Sequence, residues 1–253
     1  MKIDMHVHCS ERSNCSISTE QEHIESAIEH GLDAIVITDH NKLVPEEHLK
    51  ELNKKYYPFR IFGGIEVTTE PHGDDVLVIG VIDSILEEQK WSYEKLYKYV
   101  KARGGFIALC HPYRYENTVN IDIATFVPDA IEIHSTNIGR CDGNLIKTLA
   151  ARLGSKLIGN SDAHSYLHTG LFYNVLSSSP KSEQELANTL LNEEIIIGED
   201  EQRINSFNEK VRKREKLIKQ LIAEGKNAED FNRITGEWVG CFNRVVLGKS
   251  YEI

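Results

Sequence analysis

Histidine is the residue type in this sequence that offers the most chemistry, and its placement follows a pattern. The chain has 11 histidines among 253 residues. Six of them lie at the end of a predicted strand or just after one: His6, His8, His40, His111, His134 and His164. In a fold of alternating strands and helices, the carboxyl ends of the strands meet at one rim, where sites are built. We therefore expect these six side chains to converge in space.

Short spacings within the sequence support a metal site. His6 and His8 are two residues apart on one predicted strand, so both imidazoles point to the same face. Asp162 and His164 repeat this spacing at another strand end, and Glu66 ends a third strand. Imidazole and carboxylate ligands without a pair of thiolates favour Zn, Mn or Fe over calcium. The combined pattern predicts bound divalent metal ions.

The composition limits the classes of function. The formal net charge is −10, from 29 Lys and Arg against 39 Asp and Glu, which argues against a general binder of polyanions. The five cysteines include no CxxC pair, so neither a zinc knuckle nor a disulfide framework is predicted. No signal peptide and no apolar run of roughly 18 residues is found, so we expect a cytoplasmic protein that does not enter the membrane.

Alternating strands and helices must position these side chains. Eight short runs are rich in valine and isoleucine: Ile3–His8, Ala34–Thr38, Ile61–Val67, Val76–Ile82, Phe106–Cys110, Ala130–His134, Lys156–Gly159 and Phe172–Leu176. Amphipathic segments such as Thr19–His30 and Tyr93–Arg103 lie between them, and Ser182 begins a capping box before another helix. Units of this kind predict an α/β fold with a parallel sheet, either open or closed into a barrel.

The composition changes near Gly198, which predicts two regions. Residues 199–253 hold 11 basic and 10 acidic side chains, whereas residues 1–198 hold the acidic excess. We predict a main α/β domain over residues 1–198 and a helical C-terminal extension over residues 199–253, packed on that domain by one apolar stripe. The basic stretch Arg203–Lys219 is typical of a solvated helix face, and contact with a nucleic acid or a phosphate ligand is the alternative.

Taken in order, the histidine and carboxylate motifs resemble the PHP family, the polymerase and histidinol phosphatase superfamily. The matching segments are Asp4-Met5-His6-Val7-His8, Ile37-Thr38-Asp39-His40, Gly64-Ile65-Glu66, Leu109-Cys110-His111-Pro112, Glu132-Ile133-His134 and Asn160-Ser161-Asp162-Ala163-His164. The resemblance covers residues 1 to about 197. It implies a distorted seven-stranded (β/α) barrel with two or three metal ions at the C-terminal rim, and for most members a phosphoesterase activity.

The resemblance also implies how the metal ions are shared among these residues. Four residues would hold the first ion: His6, His8, Glu66 and Asp162. Glu66 would bridge to a second ion, which would also be bound by His111 and His134. His40 and His164 would hold a third ion.

The third site departs from the family pattern. Its usual last ligand aligns near Asn14 or Cys15, so this site could recruit Glu11 or Cys15, bind weakly or stay empty. Asp39 is expected to orient a neighbouring histidine rather than to bind metal. A carboxylate that caps a turn or a helix is an equally good interpretation of Asp39.

The implied chemistry is hydrolysis of a phosphate ester. Two adjacent cations can deprotonate a bridging water, which attacks phosphorus, and can neutralise the phosphoryl oxygens. Glu66, Asp162 and His164 are the candidate catalytic residues, the last two for proton transfer. Arg114 and Arg140 follow the motifs on the same rim and are candidate phosphate contacts. Two further loop histidines could contribute: His72 and His168.

Three functions are compatible with these observations. The favoured one is a metal-dependent phosphoesterase acting on a phosphate mono- or diester of a small metabolite or nucleotide. The second is a nuclease acting on short RNA or DNA ends, which the basic stretch would assist. The third is a metal-binding module without catalysis, which loses weight because nearly the full ligand set is present.

Overall fold

The computed structural model describes residues 1–71, 73–114 and 116–253, so His72 lies outside the described residues. The described strands form one sheet: β1 (Lys2–Val7), β2 (Ala34–Ile37), β3 (Arg60–Thr68), β4 (Asp75–Ile79), β5 (Phe106–Leu109), β6 (Ala130–His134), β7 (Lys156–Gly159), β8 (Phe172–Val175) and β9 (Ile196–Glu199). Their order across the sheet is β7-β6-β5-β4-β3-β2-β1-β8-β9. Eight of these strands overlap the predicted runs, and β9 was not predicted.

The α-helices of the described chain lie between and after the strands. They are α1 (Glu20–Glu29), α2 (Glu46–Lys55), α3 (Ile85–Glu88), α4 (Tyr93–Lys101), α5 (Gly143–Leu153), α6 (Glu183–Asn192), α7 (Glu201–Ala223), α8 (Ala228–Thr235) and α9 (Val239–Val246). Thr19 caps α1 through a capping box with Glu22, and the Ser182 side chain accepts a hydrogen bond from the backbone N–H of Glu185 at the start of α6. These caps satisfy amide groups that the first helical turn leaves without partners.

The α/β class is confirmed, but the implied count of seven strands is wrong. The nine-stranded sheet curls into a nearly closed barrel. Where β7 meets β8, a side chain replaces the regular ladder: the Asn174 amide donates to the carbonyl of Gly159 at 2.7 Å and accepts from its N–H at 3.1 Å. This bond pair brings the two arms of the sheet together around the barrel interior.

The expectation of a parallel sheet holds for only part of the barrel. Strands β1, β2 and β3 are parallel, as are β5, β6 and β7. Strand β4 runs antiparallel to both β3 and β5, and β8 runs antiparallel to β1 and β9. The six-residue connection 69–74 is the physical reason for the β3–β4 hairpin, because a parallel crossover needs a dozen residues or more.

The C-terminal helices pack on the barrel and on one another. Helices α7 to α9 share an apolar cluster that includes Val211, Ile218, Phe231 and Phe242. Arg244 is almost completely buried and donates to the carbonyl of Asn137 at 2.8 Å, in the loop after β6. The division at residue 198 therefore stays a prediction about two regions of the sequence. In the structure, contacts such as this hydrogen bond join the two regions directly.

Within the described residues, no helix combines the length and the apolarity needed to cross a membrane.

Candidate metal centre and the cavity beside it

Five of the predicted ligands meet in one buried cluster inside the barrel. His6 Nε2 lies 3.3 Å from Glu66 Oε1 and 3.4 Å from Asp162 Oδ1. His8 Nε2 lies 3.2 Å from both Glu66 Oε2 and Asp162 Oδ1. His111 Nε2 lies 3.1 Å from Glu66 Oε1. Strands β1 and β3 and the loops after β5 and β7 thus bring together side chains that are far apart in sequence.

The cluster fits a divalent metal ion. Among its buried atoms that make no hydrogen bond within the described structure, four lie close to one another: His6 Nε2, His8 Nε2, Glu66 Oε2 and Asp162 Oδ1. Leaving a buried polar group unsatisfied costs about 1–3 kcal/mol, so proteins rarely keep several such atoms facing one another. A metal ion would satisfy all four, and this set of imidazole and carboxylate donors suits Zn, Mn or Fe.

The charges inside the cluster also favour a cation. Burial opposes the charged form of His6, but Asp162 and Glu66 outweigh it and raise the pKa of this imidazole well above its usual value. Burial likewise opposes ionisation of Glu66, yet His6 and His40 hold its pKa well below the usual range. Glu66 therefore stays ionised, and the raised pKa of His6 reflects the negative potential of the carboxylates around it, which a metal ion would neutralise.

Cys15 lies in a second group of potential ligands. Four side chains have ligand atoms within 4.8 Å of one another: His8, Cys15, His40 and His164. His40 Nδ1 is also 2.9 Å from Glu66 Oε2. Glu11, the other candidate for this position, is occupied because its carboxylate accepts from the N–H of Glu20 at 3.1 Å. The geometry thus favours Cys15 over Glu11 at the third metal position.

Burial lowers the pKa of His164, although the Asp162 carboxylate opposes the shift. The pKa of His40 rises to about 11, because Glu66 and a hydrogen bond with Cys15 outweigh the effect of burial. His40 and His164 therefore differ in charge preference, with His164 the one that favours the neutral form.

Asp75 joins the cluster and was missed in the sequence. Its Oδ2 lies 3.9 Å from His111 Nε2, and it groups with His40 and Glu66 as a potential ligand. The hydroxyl of Thr68 donates to its other oxygen at 2.6 Å. In the β3–β4 hairpin, Thr68 pairs with Asp75 and Glu66 pairs with Leu77, so Glu66 and Asp75 share one face of the sheet. A hairpin interpretation of this stretch would have identified Asp75.

His134 does not join the cluster, which corrects the expectation that it binds the second metal. The β6–β7 pairing has an irregularity between Glu132 and His134 that breaks the alternation of side chains. Glu132 faces the barrel interior and lies 3.1 Å from His6 Nδ1. The His134 ring instead stacks on Phe172, with ring centroids 5.0 Å apart.

The residue that orients the histidines is Glu132 rather than Asp39. The second oxygen of Glu132 accepts from the backbone N–H of His111 at 3.0 Å, and its first oxygen also accepts from Asn160 at 2.9 Å. Asp39 accepts from the N–H of Cys9 and from the side chains of Arg12 and Ser13, at 2.6–2.7 Å. These bonds hold the loop that carries Cys15. They fit the second interpretation of Asp39, a carboxylate that caps a turn, and not the orientation of a histidine.

The two predicted phosphate contacts lie in different cavities. Arg114 lines a cavity of about 470 Å³, the site cavity, which is bordered by Cys15, His40 and His164. Arg140 lines a second cavity of about 480 Å³, the side cavity, together with His134 and Phe172. The Arg140 guanidinium donates to the carbonyl of Ile253 at 3.0 Å and so anchors the C-terminal residues. Arg114 alone of the two stands beside the metal cluster.

Other side chains complete the surroundings of the cluster. The Asn137 amide donates to Asp162 Oδ2 at 2.5 Å, which leaves Oδ1 to face the histidines. His168 lines the site cavity and makes an edge-to-face contact with Phe207 of α7, at 5.1 Å between ring centroids. His168 therefore belongs to the cavity wall.

A comparison with protein-family models identifies the segment that carries most of these ligands. The model of the PHP domain matches residues 4–125. Over this segment the chain is similar to the PHP domain. The matched segment contains His6, His8, His40, Glu66 and His111, whereas Asp162 and His164 follow it. Comparison of the sequence with curated proteins gave no match.

Solved structures share the fold of this chain. PsfC from Pseudomonas syringae PB-5123 superposes with a TM-score of 0.60 at 18% identity, over 80% of this chain and 92% of the other. A protein assigned as a metal-dependent phosphoesterase from Bifidobacterium adolescentis gives 0.54 at 13% identity, over 64% and 87%. A lesion-specific endonuclease from Pyrococcus furiosus gives 0.57 at 17% identity, over 78% and 57%. At these identities the likeness establishes the fold.

Proposed function

We propose that this protein is a metal-dependent phosphoesterase that hydrolyses a phosphate mono- or diester of a small metabolite or nucleotide. One observation carries the proposal: buried, unpartnered ligand atoms of His6, His8, Glu66 and Asp162 face one another beside an accessible cavity. Structural proteins avoid such a cluster because each unsatisfied atom costs stability. The similarity to the PHP domain and the likeness to an assigned phosphoesterase support the same class of reaction.

The residues divide into three groups that would hold the metal ions. His6, His8 and Asp162 would bind one ion, with Glu66 shared. Glu66 and His111 would bind a second, for which Asp75 takes the place that was expected for His134. A third group would use Cys15, His40 and His164. When bound, divalent ions supply a nucleophile at neutral pH and neutralise charge on the phosphoryl oxygens.

The surrounding side chains orient these ligands and receive the substrate. Glu132 fixes the His6 ring through Nδ1, so that Nε2 faces the cluster. Asn137 performs the same task for Asp162 through one carboxylate oxygen. Arg114, whose guanidinium is suited to bidentate contact with phosphate oxygens, lines the same cavity. His164 lines this cavity, and the buried Asp162 lies beside it, with Oδ1 3.5 Å from His164 Nδ1. These two residues are the candidates for proton transfer.

A nuclease is the alternative, favoured by the likeness to an endonuclease. The basic stretch Arg203–Lys219 gives it little support, because several of its guanidinium groups already serve the fold. Arg203 donates to the carbonyls of Leu167 and Thr169, and Arg212 and Arg214 pair with carboxylates. A small phosphorylated substrate therefore remains the preferred partner, with nucleic acid less favoured.

A panel of substrates tests the proposal. The protein loaded with Mn or Zn is assayed with p-nitrophenyl phosphate, its bis-ester, mononucleotides and a short 5′-phosphorylated oligonucleotide. Turnover of the small esters or mononucleotides is expected. Turnover of the oligonucleotide alone would replace this function with the nuclease, and no turnover despite stoichiometric metal would indicate a binding module without catalysis.

Two variants test the residue assignment. Glu66→Gln is expected to abolish turnover and to lower the metal content, whereas Glu70→Gln, in the exposed loop after β3, should leave both unchanged. Cys15→Ser should remove the near-ultraviolet thiolate-to-metal band of the cobalt-loaded protein, and the exposed Cys141→Ser should retain it. A full thiolate band in Cys15→Ser would remove Cys15 from the ligand set.

A further inference from the structure

The site cavity is built jointly by the barrel and the C-terminal helices. One side of it is lined by Cys15, His40 and His164, which belong to the second group of potential ligands. Its other walls include Phe207, Val211 and Trp238 from the C-terminal extension, residues 199–253. Its volume of about 470 Å³ falls within the roughly 300–1,000 Å³ of small-molecule pockets.

One face of helix α7 is turned toward this cavity. Phe207, Lys210, Val211 and Arg214 are spaced at i, i+3, i+4 and i+7, which places them on the same side of a helix. Phe207 and Val211 give this face an apolar surface, and Lys210 and Arg214 add positive charge at its margin. Of the basic residues in Arg203–Lys219, these are the two that line the cavity.

Trp238 is held at the cavity wall by a glycine and an arginine. The indole ring packs against the backbone of Gly240, where a Cβ atom would overlap the ring. The guanidinium of Arg114 lies 4.9 Å from the centre of the indole. Trp238 nevertheless keeps 45% of its surface exposed, so a broad aromatic face is presented beside the metal cluster.

The residues that line the site cavity carry positive charge. Arg114 and Lys210 contribute positive charge to the lining, whereas the guanidinium of Arg214 is paired with Glu237. No carboxylate belongs to the lining as far as the chain is described. This is unusual in a protein with a net charge of −10. A cavity with cations, aromatic rings and no acidic group selects an anion that carries a flat apolar part.

We infer that the C-terminal extension forms a specificity pocket for phosphate monoesters of a planar aromatic or heteroaromatic group. The phosphate sits at the metal cluster next to Arg114, and the ring of the ester packs against Trp238 and Phe207. This inference rests on the proposed phosphoesterase function, which it narrows to small monoesters of the size of an aryl phosphate or a mononucleotide.

The test compares two substrates of equal charge, phenyl phosphate and glycerol phosphate, in the metal-loaded full-length protein. For Trp238→Ala, kcat/KM for phenyl phosphate should fall by about tenfold, and that for glycerol phosphate by less than about threefold. Comparing each variant with the wild type on the same substrate cancels the difference in leaving groups. Equal losses on both substrates would overturn the inference.

Further variants guard against a general loss of structure. Gly240→Ala should reproduce the selective loss because it displaces the indole ring, and Trp238→Phe should restore most of the activity on phenyl phosphate. Lys213→Ala, on the exposed side of the same helix, is the matched control for Lys210→Ala and should leave both substrates unaffected. Lys210→Ala should lower kcat/KM for both substrates alike, because it removes a cation that acts on their shared charge. An equal loss in Lys213→Ala would contradict the assigned helix face.

Binding of phenylphosphonate, measured by calorimetry, separates this inference from the proposed function. The wild type should bind phenylphosphonate more tightly than methylphosphonate, and Trp238→Ala should lose that preference. If the wild type hydrolyses no ester but shows this preference, the pocket stands and the hydrolytic function fails. If it hydrolyses esters without the preference, the function stands and the pocket fails.

Discussion

Two cavities of nearly equal volume lie near the end of β6, and they contain very different chemistry. The site cavity adjoins the buried histidines and carboxylates of the barrel interior. The side cavity contains His134, Arg140 and Phe172, where one ring stacks on another and the arginine holds a backbone carbonyl. Cavity size therefore says little about function. The unpartnered ligand atoms distinguish the two.

The largest expected effect separates the histidines of the two cavities. His111→Ala should reduce kcat/KM by at least about 100-fold, because removal of even an outer partner of a metal ligand costs 10–100-fold. The kcat/KM of His134→Ala should stay within about threefold of the wild-type value, because this substitution removes neither a ligand of the cluster nor a partner of one. Steady-state kinetics with metal content measured on the same samples checks both. A loss in His134→Ala that equals the loss in His111→Ala would restore His134 to the ligand set.

A second pair of variants compares the carboxylates. Glu132→Gln keeps the shape of the side chain but weakens its contacts with His6 and His111, so metal affinity should fall about 10- to 100-fold. Glu199→Gln, in the side cavity, should leave metal affinity unchanged. Competition with a chelating dye measures both affinities. Unchanged affinity in Glu132→Gln would mean that this carboxylate serves only the packing of the barrel.

Substitutions of the arginines in the two cavities should affect different properties, KM in one case and stability in the other. Arg114→Ala should raise KM for a small phosphate ester by about tenfold, since a charged hydrogen bond is worth about 1.5–3 kcal/mol. Arg140→Ala should leave KM unchanged and lower the free energy of unfolding by about 1 kcal/mol, through the lost bond to Ile253. Kinetics and urea unfolding distinguish the two. A raised KM in Arg140→Ala would indicate that the substrate also contacts the side cavity.

The last effect concerns stability alone, through His23, which is buried and bonds Thr169 at 2.7 Å. Burial lowers the pKa of His23 to about 3, so the unfolded chain takes up a proton first as the pH falls below about 6.5. The contribution of neutral His23 to the free energy of unfolding is therefore fully present above about pH 6.5 and is lost progressively toward pH 3. At pH 5 the loss is about 2 kcal/mol.

Urea unfolding of the wild type and of His23→Gln at pH 7.5 and 5.0 isolates this contribution. The variant should lose less stability between the two pH values than the wild type does. His30→Gln, at the exposed end of the same helix, is the control and should behave like the wild type. An identical pH dependence in His23→Gln would show that acid destabilises the barrel through other groups.

Sequence patterns predicted the strands and most of the buried cluster, because both depend on local rules. Apolar runs identified eight strands, and the spacing of His6 and His8 followed the alternation of side chains along β1. Asp75 was missed because the register of a hairpin is set by pairing and not by a local pattern. His134 was misassigned because one irregularity in β6 changes the face that a side chain takes.

The role of the C-terminal extension was the least predictable feature. Its basic composition indicated a solvated helix face with nucleic-acid contact as the alternative, yet only the packing of α7 shows which of its cations line a cavity. Arg114 and Arg140 follow cluster motifs at similar short distances in sequence, and loop conformation alone separates them. Local sequence rules carry no information about such placement.

The buried Arg244 has a consequence for how this protein can change. Its guanidinium holds the carbonyl of Asn137, and the amide of Asn137 in turn holds Asp162. A substitution of Arg244 in α9 would therefore remove a hydrogen bond that helps to fix the orientation of the Asp162 carboxylate, although 82 positions separate the two residues in the sequence. The barrel and its last helices cannot be exchanged with those of a relative one at a time. They would have to be transplanted, and inherited, as one piece.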